Sequence, residues 1–93
     1  MAITVVRDDA HHRYQAVVDG EPAGAAHYRV QSGILTFYHT VVDEAFEGKG
    51  VGSALAKGAL DDVRARGERI VVECPFIATF LQRHPEYADL VAK

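Results

Sequence analysis

The segment of this sequence best suited to bind a ligand is rich in glycine. It reads Glu47-Gly48-Lys49-Gly50-Val51-Gly52-Ser53. Glycines at alternate positions leave backbone N–H groups uncovered, and just before a helix those groups lie at its positive dipole end. Lys49 adds a full positive charge. The segment therefore predicts a phosphate or pyrophosphate site, and a flexible strand-to-helix turn is the alternative with the same composition.

Two better-known phosphate loops do not match this segment. The dinucleotide-binding fingerprint has a different glycine spacing and follows a strand of a parallel sheet. A Walker loop has Lys and then Ser or Thr after its last glycine, whereas Ser53 directly follows Gly52 here. The expected anion site is therefore of another kind.

The lone cysteine and a histidine form the second candidate pair. Cys74 precedes Pro75, at the predicted start of a helix, where free N–H groups and the helix dipole favour the thiolate. His39 lies near the end of a predicted strand, and parallel strands would bring it beside Cys74 as an activating base. The alternatives are an inert buried thiol, a core histidine, and transfer by proximity alone with water or Glu73 as base.

The first half of the chain supplies the strands that must hold these groups. Runs of β-branched and aromatic residues cover 3–6, 14–18, 25–30 and 34–42. Turn residues separate them, with Asp19-Gly20 as the strongest hairpin signal. The pattern predicts an antiparallel meander of four strands.

Helical periodicity begins after the glycine-rich segment. Apolar residues recur at spacings of three and four and predict a helix over 51–66. A short strand over 69–73 follows, then a helix from Pro75 to near His84, with one or two further turns in 86–91. Strand 34–42, the first helix and strand 69–73 form a right-handed βαβ unit. The predicted fold is α+β, a mixed sheet with C-terminal helices.

Composition limits the functional classes. The 93 residues include 10 Lys and Arg against 13 Asp and Glu, for a net charge of −3, and 48% are hydrophobic. This excludes a disordered chain and argues against a nucleic-acid binder that neutralises phosphates. One cysteine excludes an intrachain disulfide scaffold, and no run approaches the length of a membrane span. We expect a single cytoplasmic domain over 1–93, without metal and without a membrane partner.

Further short sequence segments accompany the glycine-rich loop, in a fixed order along the chain. They are His39-Thr40, the run from Phe46 to Leu55, Cys74-Pro75-Phe76 and His84-Pro85-Glu86-Tyr87. Together they resemble the GNAT superfamily of N-acetyltransferases, and within it the minimal single-domain yjdJ-type branch, over about residues 3–91. That superfamily usually has Gln or Arg at the position of Glu47.

The resemblance implies an acyl-CoA site between strands 34–42 and 69–73, with acetyl-CoA as co-substrate and an amine as acceptor. The implied cofactor-binding residues are the loop Glu47, Gly48, Lys49, Gly50, Val51, Gly52 and Ser53, the strand residues Thr40, Val41 and Val42 beside the pantetheine, and Phe76, Phe80 and Arg83 on the following helix. It also implies Cys74 as the catalytic residue with His39 as its partner. A protein lysine, an N-terminus and a polyamine all remain open as acceptors.

Two departures from that superfamily leave other functions open. Its full-length enzymes usually carry a tyrosine that protonates the departing thiolate, and the matching position here is Phe80. The chain also lacks the elements that normally wall the acceptor pocket. The alternatives are therefore a CoA or acyl-CoA binding module without efficient turnover, acting in sensing or protein interaction, and a structural domain without a cofactor.

Overall fold

The β-branched and aromatic runs form four antiparallel strands in the computed structural model, which describes residues 2–92. They are β1 (Ile3–Asp8), β2 (Arg13–Val18), β3 (Glu21–Gln31) and β4 (Ile34–Val42). A fifth strand, β5 (Arg69–Val72), joins β4 in parallel, so the sheet order is β1-β2-β3-β4-β5. The predicted mixed sheet is confirmed.

Two α-helices complete the fold. They are α1 (Val51–Ala65) and α2 (Pro75–Arg83), and a 3-10 helix over Pro85–Leu90 follows α2. The predicted βαβ unit and the extra C-terminal turns are therefore present. No helix within residues 2–92 is long and apolar enough to cross a membrane.

The core lies on one face of the sheet, where both helices pack. Alternate strand residues point to it because successive side chains in a strand face opposite ways. The largest fully buried side chains are Tyr14, Tyr28, Phe37, Leu35, Leu55, Leu60, Ile70, Ile77, Leu90, Val51 and Val63. We call the opposite side of the sheet, which carries Gln15, His27, Arg29 and Val71, the outer face.

The start of β3 differs from the sequence prediction. The strand begins at Glu21, not at Ala25. Pro22 falls inside it, at a register shift opposite Ala16 and Val17. Proline has no N–H to donate, but a bulge does not require one, so the strand continues through it.

A bulge in β4 decides which residues reach the helices. Tyr28 pairs with Phe37 and His27 pairs with His39, so Tyr38 is the extra residue. An extra residue changes the side to which the following residues point. After the bulge, Thr40 lies on the helix side of β4, whereas His39 lies on the outer face.

Pairing between β4 and β5 ends beside this bulge. The last paired residues are Phe37 and Val72. The Phe37 carbonyl accepts hydrogen bonds from both Glu73 N–H (2.8 Å) and Cys74 N–H (3.1 Å). We call the space between residues 38–42 of β4 and residues 73–76 the fork.

The C-terminal end of the chain covers part of the other edge of β5. Val91 forms a parallel bridge with Ile70, and Ala92 N–H donates to the Ile70 carbonyl at 2.7 Å. These bonds satisfy backbone groups that would otherwise face solvent at a strand edge.

Candidate functional site

The glycine-rich loop has its backbone exposed where α1 begins. Gly48 (φ 77°) and Gly50 (φ 78°) adopt left-handed conformations that residues with a Cβ rarely adopt. Gly50 is the N-cap of α1 and no side chain caps it. A Cβ at either glycine would meet nothing within 4 Å. The open space above the loop therefore borders free N–H groups, as an anion site requires.

Phe76 lies against the other side of this loop. A Cβ at Gly52 would stand 2.7 Å from the tip of the Phe76 ring. Glycine at this position thus lets the first turn of α1 and the first turn of α2 approach closely. Both Phe76 and Ser53 line the loop cavity of about 230 Å³.

A larger groove continues from the loop along α2. It has a volume of about 440 Å³ and is lined by Ser53, Pro75, Phe76, Thr79, Phe80, Arg83 and His84. The Phe80 ring stacks on His84 with ring centroids 4.2 Å apart. Because Ser53 and Phe76 belong to both cavities, the loop and the groove form one continuous concave surface.

Cys74 is one of the residues that bound the fork, and the next two residues, Pro75 and Phe76, line the groove. It is the N-cap of α2 and only 3% exposed. Its Sγ donates to Thr40 Oγ1 across the fork, at 3.2 Å. A thiol and a hydroxyl therefore meet on the helix side of the fork.

His39 is not part of that contact. It is exposed on the outer face, where its ring stacks on His27 with centroids 6.1 Å apart. The expectation that His39 meets Cys74 is wrong, because the Tyr38 bulge interrupts the regular alternation of Phe37, His39 and Val41. Thr40 is the neighbour of Cys74 that sequence reasoning missed. An alternating apolar pattern gives no sign of a bulge, so no sequence signal could have identified it.

The outer side of the fork carries charged and aromatic groups. Arg29 Nη2 donates to Glu73 Oε1 at 3.0 Å, and its guanidinium lies 5.1 Å from the centre of the Tyr38 ring. Desolvation, His39 and Arg13 together lower the pKa of His27, which favours a neutral imidazole there. The fork thus has two chemically different sides.

The remaining predicted residues lie around these features. Glu47 and Lys49 are exposed in the loop, and Arg83 is exposed at the end of α2. Val51 contributes its side chain to the core. Val41 is exposed on the outer face, and Val42 is half-buried beside the loop cavity.

Three tyrosine hydroxyls are hydrogen-bonded elsewhere in the molecule. Tyr14 donates to Asp62 (2.7 Å), Tyr28 to Asp9 (3.1 Å) and Tyr87 to Asp61 (2.6 Å). The fourth, Tyr38, lies at the outer side of the fork. Within residues 2–92, the proton-bearing side chains that meet on the helix side of the fork are Cys74 and Thr40.

Comparisons with known proteins agree with this arrangement. The sequence model of a family described as GCN5-related N-acetyl-transferase matches residues 13–90. Protein NATD1 of Bos taurus is 38% identical to this chain over 52 residues. That segment covers 56% of this chain and 46% of the bovine protein, so the match spans about half of either.

Solved structures show the same fold. A GCN5-like protein from Staphylococcus aureus superimposes with a TM-score of 0.69 at 21% identity, covering 96% of this chain and 87% of that one. The ribosomal-protein-S18-alanine N-acetyltransferase of Escherichia coli superimposes with a TM-score of 0.59 at 22% identity, covering 71% and 43%. At these identities the likeness is one of fold.

Proposed function

Because this chain belongs to the GCN5-related N-acetyltransferase family, we propose that it transfers the acetyl group of acetyl-CoA to an amine. The observation that carries the proposal is the continuous concave surface that runs from the glycine-rich loop to α2 and borders the fork. Such a surface suits a long ligand with an anionic part and a reactive end.

The residues present fit CoA. The N–H groups at the start of α1, above Gly48 and Gly50, would hold the pyrophosphate without a side chain in the way. The free edge of β4 over residues 38–42 offers backbone partners to the amides of the pantetheine. Phe76, Phe80 and Arg83 would contact the rest of the molecule in the larger groove. CoA enters as a substrate that brings its own activated thioester.

The chain then has to position the thioester and supply one proton. A neutral amine attacks the thioester carbonyl carbon, the C–S bond breaks, and CoA leaves as a thiolate. The nitrogen of the new amide gives one proton to water, and water returns a proton to Cys74 after each turnover. We assign the proton that this thiolate takes up to the Cys74 thiol, whose hydrogen bond to Thr40 fixes its direction (3.2 Å). Holding the two reactants in contact supplies the remaining acceleration.

The surroundings of Cys74 favour direct transfer over an acetyl-cysteine intermediate. A nucleophilic thiol needs a base within hydrogen-bond reach. The partner of Cys74 Sγ is a hydroxyl, and His39 lies on the other side of the sheet. Intact-mass measurement after incubation with acetyl-CoA should therefore show no acetylated protein. An acetyl group on Cys74 would establish the covalent route instead.

One observation favours a second function, a CoA-binding module with little turnover. Phe80, at the position where the resemblance to the superfamily implies a proton-donating tyrosine, has no hydroxyl, and three of the tyrosine hydroxyls are bonded to aspartates. In that case CoA binds at the loop, but no acceptor releases free thiol from acetyl-CoA. A thiol-release assay with lysine peptides, N-terminal peptides and spermidine separates the two functions.

The glycine-rich loop is tested by a matched pair of variants. Gly50→Val places a side chain in the open space above the loop, so CoA affinity measured by calorimetry should fall by about tenfold or more, equal to about 1.4 kcal/mol. Gly20→Val is the control, because Gly20 also has a positive φ (86°) and open space around it, but lies in the β2–β3 turn. Both variants lose similar stability, about 1–2 kcal/mol. Equal CoA affinity in the two variants would contradict the proposal.

A further inference from the structure

Two shallow cavities lie on the outer face, on either side of the fork. One, of about 400 Å³, is lined by Gln31, Ser32, Ile34, Thr36 and Val71. The other, of about 270 Å³, includes Gln15, Ala25, His27, Val41 and Asp43. The helices do not cover either cavity, since both helices pack on the opposite side of the sheet.

A carboxylate lies on the outer face at a level between the two cavities: Glu73 N–H bonds to the Phe37 carbonyl, so Glu73 is level with a residue of β4 that follows Thr36 and precedes Val41. The Glu73 side chain is 52% exposed, and only one of its oxygens, Oε1, bonds to Arg29. The other oxygen has no hydrogen-bond partner in the part of the chain that the structure describes. A second carboxylate, Asp43, lines the smaller cavity. Both negative charges complement a protonated amine.

The spacing of the cavities matches an extended chain. Thr36 in one cavity and Val41 in the other pair with Arg29 and Ala25 of β3. These partners are four positions apart, because the bulge at Tyr38 adds one residue to β4, so the spacing is about 14 Å at a strand's rise per residue. An extended polypeptide advances by the same distance per residue. Its side chains would therefore reach both cavities while a residue between them lies over Glu73.

We infer that the acceptor amine belongs to a polypeptide that lies extended along β4 on the outer face, with its ammonium group at Glu73, whose carboxylate takes one proton from it and leaves the amine neutral for attack. This inference rests on the proposed acetyl transfer and adds the class of acceptor. A small polyamine fits less well, because small ligands are bound in concave pockets that bury most of their surface. The outer side of the fork is an open surface with a depression at each end.

Nuclear magnetic resonance of the CoA-saturated protein tests this inference. The probe is a synthetic peptide of about seven residues with a central lysine, compared with spermidine. We expect the peptide to shift the amide signals of Thr36, Val41 and Val71, and to bind about tenfold more tightly than spermidine. Equal affinities, or peptide shifts confined to α1 and α2, would overturn the inference.

Two variants on the outer face give a matched comparison. Val71→Arg fills the outer-face cavity that Val71 lines, of about 400 Å³. Peptide affinity should therefore fall at least about fivefold while CoA affinity stays unchanged. Val6→Arg introduces the same side chain on the same face, but on β1, away from the cavities, and should leave peptide affinity unchanged. Equal peptide affinities would also overturn the inference.

The CoA titration that precedes these measurements keeps the two proposals distinguishable. Shifts at residues 48–53 on adding CoA report the loop site, whereas shifts on the outer face report the acceptor. CoA binding without peptide binding would refute the polypeptide acceptor alone. Absence of CoA binding would refute the proposed function.

Discussion

At the scale of single residues, Tyr38 determines the surroundings of Cys74. As the extra residue in β4, it turns His39 to the outer face and brings Thr40 Oγ1 to 3.2 Å from Cys74 Sγ. The proposed proton donor is thus held by a hydroxyl. The imidazole that the sequence suggested as its partner stacks on His27 instead.

Substitution of Cys74 should separate chemistry from binding. Removing a proton donor typically costs about a hundredfold or more in rate, so Cys74→Ala should lower kcat by that order, with little change in CoA affinity. Cys74→Ser keeps a proton-bearing group and should retain more activity than Cys74→Ala.

The control for this prediction is Thr40→Val, which removes the hydrogen-bond acceptor but keeps the thiol. Its kcat should fall less than that of Cys74→Ala. All rates are measured by release of free CoA thiol. A Cys74→Ala variant as fast as the parent would show that the leaving thiolate takes its proton from water.

The site residues show what a sequence can predict. Three alternate glycines before a helix have a direct physical meaning, so the loop could be identified from residues 48–52 alone. The contact between Thr40 and Cys74 depends on the register of three strands. Phe37, His39 and Val41 alternate like any regular strand, so the sequence pointed to the wrong neighbour.

At the scale of secondary-structure elements, α1 lies unusually close to the sheet at Gly58. A Cβ at this position would stand 2.6 Å from Val5 Cβ. The other helical glycine with such a close neighbour, Gly52, would instead meet the tip of the Phe76 ring, which is 41% exposed. At Gly58 the neighbour is the branched part of the Val5 side chain, which is fixed next to the backbone of β1. At Gly52 the neighbour is the end of a long side chain, which is able to rotate away.

These two glycines should respond differently to alanine. Alanine in a helix interior normally stabilises by about 0.5–1 kcal/mol relative to glycine. Gly58→Ala should nevertheless destabilise by about 1–3 kcal/mol, because it overpacks α1 against Val5. Gly52→Ala should change stability less. Urea unfolding measures both.

A double variant checks the cause of that loss. Val5→Ala removes two of the three atoms that the new methyl group would strike, Cγ1 and Cγ2, and keeps Cβ, so adding it to Gly58→Ala should recover part of the stability. Additive losses in the double variant would show that the contact with Val5 is not responsible.

At the scale of the whole molecule, ion pairs on one side of α1 attach the C-terminal segment. Asp61 accepts hydrogen bonds from Lys57 (2.8 Å) and Tyr87 (2.6 Å). Arg64 binds the Asp89 carboxylate at 2.8 and 3.0 Å. The bond from Lys57 and then that from Tyr87 lower the pKa of Asp61, and the bond from Arg64 lowers the pKa of Asp89.

The sign of these shifts predicts acid sensitivity. A carboxyl with a lowered pKa in the folded state binds fewer protons than in the unfolded chain, so its stabilisation is present above about pH 4 and lost as the pH falls further. The variant with both Asp61→Asn and Asp89→Asn should be less stable than the parent protein at pH 6. Between about pH 6 and pH 3 its free energy of unfolding should fall by less than that of the parent.

Asp19→Asn is the control for the acid series, because Asp19 lies in the β2–β3 turn and asparagine also tolerates its positive φ of 49°. Urea midpoints at each pH provide the measurement. Parallel pH profiles for the double variant and the parent would contradict the assigned role of these carboxyls.

The overall architecture was accessible from the sequence because its signals are local. Asp19-Gly20 marks a hairpin, and the change of period after Gly50 marks a helix, so the element order follows. Pro22 misled the prediction for the start of β3, since proline is rare inside a central strand and is tolerated here because it lies at a bulge.

The bonds of Val91 and Ala92 to β5 restrict self-association through this strand. A sheet with unpaired edges can add further molecules edge to edge, as filaments do. Here Val91 and Ala92 bond to Ile70, so a second molecule cannot pair with that part of β5. Copies that joined edge to edge would have to meet through β1 or through residues 38–42 of β4, and bound CoA would compete for the second of these edges.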